Sequence, residues 1–212
     1  HPIAMAKGLA TADWLSGGRL NVAFGVGWLK GEFDAMGVPF EKRGKIADEY
    51  LAAIIELFTK EWPSYEGEFV SFKDVAFEPK CAQKPHVPIW IGGDSDAALK
   101  RCARFGTGWV PFLTKPDDFR AKVDYITSQP TYKGGPFEVM YTLASGFIGE
   151  GHVARDGRGK SIFTAQEMID TVGWMKDRGV TIASFAIPPV KDASAYLDYA
   201  QWFVEEIKPK FK

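Results

Sequence analysis

A parallel α/β fold is what the sequence predicts, and three observations predict it. Strand-like and helix-like segments alternate five times along the chain. Two of the strand-like segments are short apolar runs of the kind that is buried on both faces. Both of those runs end in glycine pairs or a Gly-x-Gly, the usual exit from a strand of a parallel sheet into a ligand-facing loop. The predicted class is α/β: a (β/α)8 TIM barrel of which the chain shows about the last five βα units, as one domain over residues 1–212. A closed barrel needs eight strands and typically ~250 residues. The chain opens on a helix that feeds a strand, so the expectation is a barrel without its first three units. On pattern alone, an open five-stranded sheet competes with it.

Residues 3–14 have helical spacing, and Ser16, Gly17 and Gly18 are a stop signal. Residues 20–27 follow as a buried parallel strand. Residues 43–60 form the clearest helix, with Ile46, Tyr50, Ala53, Ile54, Leu57 and Phe58 on one face and Asp48 and Glu49 opposite. Residues 64–77 alternate around Glu66, Gly67 and Glu68, as a hairpin or an extended excursion would. Residues 87–93 are the second buried strand; Asp94 and Ser95 look like an N-cap for a helix over 96–105. A very short strand over 106–111 precedes a helix over 116–127 that carries Asp117 and Asp118 in its first turn. Residues 137–148 read as a strand, and 149–161, rich in glycine and charge, as a long mobile loop. Thr164 and Glu167 form a capping box for a helix that Gly179 stops. A strand over 180–187, closed by Pro188 and Pro189, and an amphipathic helix over 192–207 complete the order.

The charge balance excludes several functions. Lys and Arg total 26 and Asp and Glu 27 in 212 residues, a net charge of -1, which lacks the basic surplus that phosphate-backbone binding needs. No nucleic-acid partner is expected. No apolar run approaches the ~20 residues that span a bilayer, and the first residues lack the signal-peptide pattern, so no membrane association is expected. Cys81 and Cys102 are too few and too far apart for a metal or disulfide framework, and a reduced cytoplasmic setting is the default. His1, His86 and His152 have no ligand at metal spacing, so no metal is expected. No Gly-x-Ser-x-Gly elbow and no P-loop occurs.

In a parallel α/β sheet, ligands sit beyond the carboxyl ends of the strands. After the first strand come Gly25, Val26, Gly27 and Trp28. The glycines allow a flat ligand close to the backbone and Trp28 can stack on it; a tight turn with Trp28 filling the core is the plainer reading. After the second come Gly92, Gly93, Asp94 and Ser95. Bare main-chain N–H groups at a helix start are the recipe for an anion site, and an ordinary capped turn fits equally. A Val at Gly93 is expected to block the anion with little loss of folding. Arg155, Arg158 and Lys160 form a basic loop, either solvated or gripping an anionic tail.

These residues belong to a longer signature. Leu15, Ser16, Gly17, Gly18, Arg19 and Leu20 precede Gly25, Val26, Gly27 and Trp28; Glu32 and Phe33, then Met36, Gly37, Val38, Pro39 and Phe40, then Arg43 and Gly44 follow. Further on stand Asp48, Glu49 and Tyr50, then Tyr65, Glu66 and Gly67, then Pro85 and His86, then the run from Pro88 to Gly93, and Gly108 with Trp109. In order and spacing the chain resembles the luciferase-like monooxygenase superfamily, most of all its F420-dependent oxidoreductase branch. The resemblance is dense from Ala4 to about Pro111 and topological afterwards.

The resemblance implies a barrel that binds coenzyme F420, or alternatively FMN, at its C-terminal face, and moves a hydride to or from a small organic substrate. An FMN-dependent monooxygenase is the neighbouring reading. A non-catalytic, oligomeric member with an incomplete barrel is the other. By the same resemblance Gly25, Val26, Gly27 and Trp28 border the ring, and Gly92, Gly93, Asp94 and Ser95 hold the phosphate. Gly108 and Trp109 lie at the next strand's mouth. Some relatives carry an acid where this chain has Trp28, and Glu32 is the nearest carboxylate. The family's catalytic contacts come from its first three strands, so no catalytic residue is named. Exposed sheet edges imply a homo-oligomer, most simply a dimer.

Overall fold

The computed structural model describes residues 1–143, 164–185 and 192–211. The basic loop with Arg155, Arg158 and Lys160, His152, the 149–161 segment and the Pro188 and Pro189 strand end lie outside the described residues. Two compact units are present: His1–Trp109 with Ile126–Phe137, and Val110–Tyr125 with Glu138–Lys212.

The first unit opens with α1 (Pro2–Ser16), followed by β1 (Val22–Phe24), α2 (Lys30–Ala35) and, after one 3-10 turn, α3 (Arg43–Thr59). A two-residue hairpin follows, β2 (Tyr65–Glu66) against antiparallel β3 (Ser71–Phe72). Then come β4 (Ile89–Gly92), α4 (Asp96–Phe105) and β5 (Gly108–Val110). The strand order is β1–β4–β5, and β1 runs parallel to β4. Its core forms where the small face of α1 (Ala6, Ala10) meets Ile54, Leu57 and Phe58 of α3 and the buried Phe77, Cys81 and Val87. Small residues on one helix let large ones on the other fill the space between them at interior density.

Polar ties fix the connections. The buried Asp13 carboxylate accepts from Gln83 N (2.9 Å) and Nε2 (2.8 Å), joining α1 to the segment that enters β4. Arg101 Nε donates to Asp48 (2.5 Å) and Nη2 to the Gly44 carbonyl (3.1 Å), joining α4 to α3. Glu49 accepts from the main-chain N–H of Glu68, Phe69 and Val70 at 2.9, 2.7 and 2.6 Å and so fastens the hairpin.

The second unit contains α5 (Phe119–Thr127), β6 (Glu138–Leu143), α6 (Ala165–Asp177), β7 (Ile182–Phe185) and α7 (Ala193–Trp202). β6 and β7 are parallel, with Met140 opposite Ile182. Phe119 stands edge-on to Tyr141 at 5.1 Å. The Thr164–Glu167 capping box is present in full.

Three sequence expectations need correction. The strand over 20–27 is regular only at Val22–Phe24, and it is not buried: Ala23 is exposed, since among the described residues β1 has a strand neighbour on one side alone. The loop after it contains a helix, α2, too short for a periodic signal and closed by a Lys30–Asp34 pair at 2.7 Å. The helix over 192–207 stops being α-helical at Trp202 and widens into a π turn over Phe203–Ile207.

Candidate functional site

Register brings the two glycine loops together. Phe24 pairs with Ile91, so the next residues along these parallel strands are Gly25 and Gly92, side by side at the carboxyl ends. A Cβ at Gly25 would meet no heavy atom within 4 Å, and one at Gly92 only the Phe24 carbonyl at 3.6 Å, an ordinary contact. Neither glycine has a positive φ. The protein's own packing therefore asks for glycine at neither place.

Gly93 differs. Its φ is +120°, and a Cβ would stand 3.2 Å from Ala98 Cβ, so the backbone itself requires glycine. This overturns the expectation that a Val at Gly93 spares folding. The Gly93 carbonyl accepts from Trp109 Nε1 at 2.7 Å, and Trp109 is 0% exposed. In a trans peptide the N–H lies opposite the C=O. Holding the carbonyl on Trp109 turns the Asp94 N–H the other way. Ser95 is the N-cap of α4, its hydroxyl accepting from Ala98 N at 3.2 Å. Asp94, half-buried, is not the cap. The positive end of the α4 dipole lies at this turn. Gly108 and Trp109 are both buried, which makes Trp109 a support beneath the Gly93 turn rather than a wall at the mouth.

The loop after β1 separates its two glycines as well. Gly25 faces open space, but Gly27 has φ +78° and a Cβ there would lie 2.8 Å from the Phe33 ring. Gly27 is thus dictated by its own turn. Trp28 is 65% exposed and Leu29 42%, so Trp28 does not fill the core. Glu32 is exposed in the first turn of α2. Among the described residues no group of His, Cys, Asp and Glu is placed to hold a metal ion, and no helix is long and apolar enough to cross a membrane.

Residues 1–148 match the family of luciferase-like monooxygenases. The chain belongs to this family. An FMNH(2)-dependent dimethylsulfone monooxygenase of Pseudomonas putida is 34% identical to this luciferase-like chain over 136 residues, 63% of the chain and 38% of that enzyme. The chain spans about two fifths of the length of the curated relatives it matches first. In three dimensions it is similar to a monooxygenase from Streptomyces bottropensis, with TM-score 0.80, 20% identity and coverage of 100% of this chain and 75% of that one. It is also similar to the coenzyme F420-dependent tetrahydromethanopterin reductase of Methanopyrus kandleri, with TM-score 0.75, 20% identity and coverage of 100% and 80%. The fold is accordingly that of the luciferase-like α/β barrels, of which β1, β4, β5, β6 and β7 are strands.

Two residues take parts in the structure that the sequence reading did not give them. Trp109 stood there as a mouth residue, and its bond to Gly93 depends on a tertiary approach that spacing does not encode. Arg43 belonged to the signature without a part to play.

Proposed function

We propose that the protein is an oxidoreductase that carries a flavin-type cofactor, F420 or FMN, across the carboxyl ends of β1, β4 and β5. When bound, the ring would supply hydride-transfer chemistry to or from a small organic substrate. The residues present fit such a group. Gly25 and Gly92 leave main chain bare where a flat ring or a phosphate can approach. The first turn of α4 offers the positive end of its dipole and the Ser95 hydroxyl to an anionic phosphate, with Asp94 bordering the turn that Trp109 holds through Gly93. Val26 and Trp28 border the ring from the β1 side, with the exposed Trp28 indole available to stack. Trp109, buried beside Gly108, supports the turn.

The observation that carries this reading is the in-register pair Gly25 and Gly92. At these two adjacent strand ends a Cβ would meet no more than an ordinary contact, yet both residues are glycine.

F420 is the first assignment, from the motif resemblance. FMN is the second, favoured by the 34% identical relative whose name specifies FMNH(2). We take the working protein as a homo-oligomer, most simply a dimer. Cytoplasmic placement fits the two free thiols, Cys81 and Cys102.

Titration of the full chain with F420, FMN and reduced FMN, followed by cofactor absorbance and fluorescence, tests the proposal. Saturable binding of one of them at tens of micromolar or below is expected. Binding of none in that range would overturn it.

A further inference from the structure

A glycine at positive φ gives a loop its turn but not its constancy, because glycine populates both halves of φ space with similar ease. Something else must hold the Gly27 peptide in one orientation. Arg43, the first residue of α3, reaches back to it: Nε donates to the Gly27 carbonyl at 3.2 Å, and Nη1 donates to the Phe40 carbonyl at 3.0 Å. The same guanidinium lies over the Phe40 ring, 3.8 Å from its centroid. Phe40 in turn meets Phe33 edge-on at 5.2 Å and 80°, and Phe33 is the ring against which Gly27 is packed. The circuit Gly27, Phe33, Phe40, Arg43 and back to Gly27 is closed. Its base is firm, since α3 buries Ile46, Leu51, Ala53, Ile54, Leu57 and Phe58.

We propose that Arg43 is a positioning residue for the loop at residues 25–28: held on the Gly27 and Phe40 carbonyls, it fixes the Gly27–Trp28 peptide and therefore the face this loop offers to a ligand. Because the peptide is planar and trans, a Gly27 carbonyl drawn to Arg43 sends the Trp28 N–H in the opposite direction. The planar fork is what the task needs. A lysine ammonium has the charge, but it is a point donor without a face to lay on Phe40 and without a second, separately directed nitrogen for the other carbonyl. The consequence for binding rests on the cofactor reading above; the consequence for the loop does not.

The experiment uses the full chain as wild type, Arg43→Met and Arg43→Lys. Three quantities are read: the thermal midpoint, amide hydrogen exchange without ligand, and the dissociation constant for whichever of FMN and F420 the wild type binds. In Arg43→Met, exchange over residues 26–31 is expected to accelerate while α3 and β4 keep their protection. If the loop spends about a tenth of its time in the bound shape, the dissociation constant rises about tenfold. Arg43→Lys, able to hold one carbonyl but not both, is expected between the two. Wild-type exchange in the loop of a folded Arg43→Met variant would overturn the proposal. So would protection lost evenly across α3 and the core, which marks a purely structural residue. If Arg43→Met does not fold, Arg43→Lys decides by the same measures. If the wild type binds neither cofactor, the proposed function falls, and the exchange result still decides the positioning role.

Discussion

Replacing Gly25 by valine separates the ligand from the fold. The backbone at Gly25 lies outside the positive-φ region, and no heavy atom stands within 4 Å of the added Cβ. Folding should therefore tolerate the change. Valine suits an extended strand end, and losing a glycine narrows the unfolded ensemble, worth about 0.4–1 kcal/mol in favour of the native state. The thermal midpoint should hold or rise by a few degrees, given about 2–4 °C per kcal/mol at this chain length. The ligand meets a different situation. On the proposed reading the branched side chain fills space that a ring or phosphate needs, and overfilling a fitted site costs about 1–3 kcal/mol, which is a factor of roughly 5–150 in the dissociation constant. Cofactor titration and a melting curve on the same preparation give both numbers. A variant with wild-type affinity and a wild-type midpoint would refute the reasoning, since the open space beside Gly92 would then not be where the cofactor lies. Gly93→Val is the poorer probe, because φ +120° and the 3.2 Å approach to Ala98 Cβ tax the fold itself.

Glu49→Ala should destabilise by about 1.5–3 kcal/mol, the worth of charge-assisted bonds to main chain, because three N–H groups of the hairpin lose their acceptor. Faster hydrogen exchange at residues 68–70, with a lower urea midpoint, would show it; unchanged exchange there would refute the clamp. The thiols give a pH prediction. Burial pushes Cys102 up to about 12 and Cys81 above its ordinary value, whereas an unfolded thiol ionises near ~8.5. The native state thus favours the protonated form. That contribution is complete below about pH 8.5 and is lost as pH rises toward 12. Stability should fall between pH 9 and 11, less steeply in Cys102→Ala, and a thiol reagent at pH 8 should label neither cysteine until the chain unfolds. Rapid labelling of the native protein would contradict this.

What the sequence revealed was whatever a short stretch of chain determines by itself. β4 was legible because Ile89, Trp90 and Ile91 are all buried, and a strand covered on both faces must be apolar throughout. The Thr164–Glu167 box was legible because it is local chemistry between residues three apart. β1 was read too long because its apolar run continues into loop, and α2 was missed because six residues, none of them fully buried, are too few to carry a periodicity. In the site, Gly25 and Gly27 looked alike. Only the structure tells the open position from the one packed on Phe33.

The same distinction explains why neither clamp on a glycine carbonyl was visible in advance. A site built from main-chain donors faces a conflict: it needs glycine to bring backbone near a ligand, and glycine is the residue that loses most entropy on being fixed. A loop ordered only when ligand arrives spends part of the interaction energy on its own ordering. Here the ordering is supplied from elsewhere, by Trp109 on Gly93 and Arg43 on Gly27. The two differ in kind. Trp109 is a buried neutral donor whose indole N–H needs an acceptor, so its bond is enforced by desolvation. Arg43 is half-buried and has water as an alternative partner, so its hold depends on the second carbonyl and the Phe40 face that it engages at once. It follows that the turn at residues 92–95 is the stiffer half of the cradle and the loop at 25–28 the half that can yield. On the cofactor reading proposed above, a rigid anion seat beside a more compliant ring-side loop is the division of labour expected where one end of a cofactor is anchored and the other must admit a substrate.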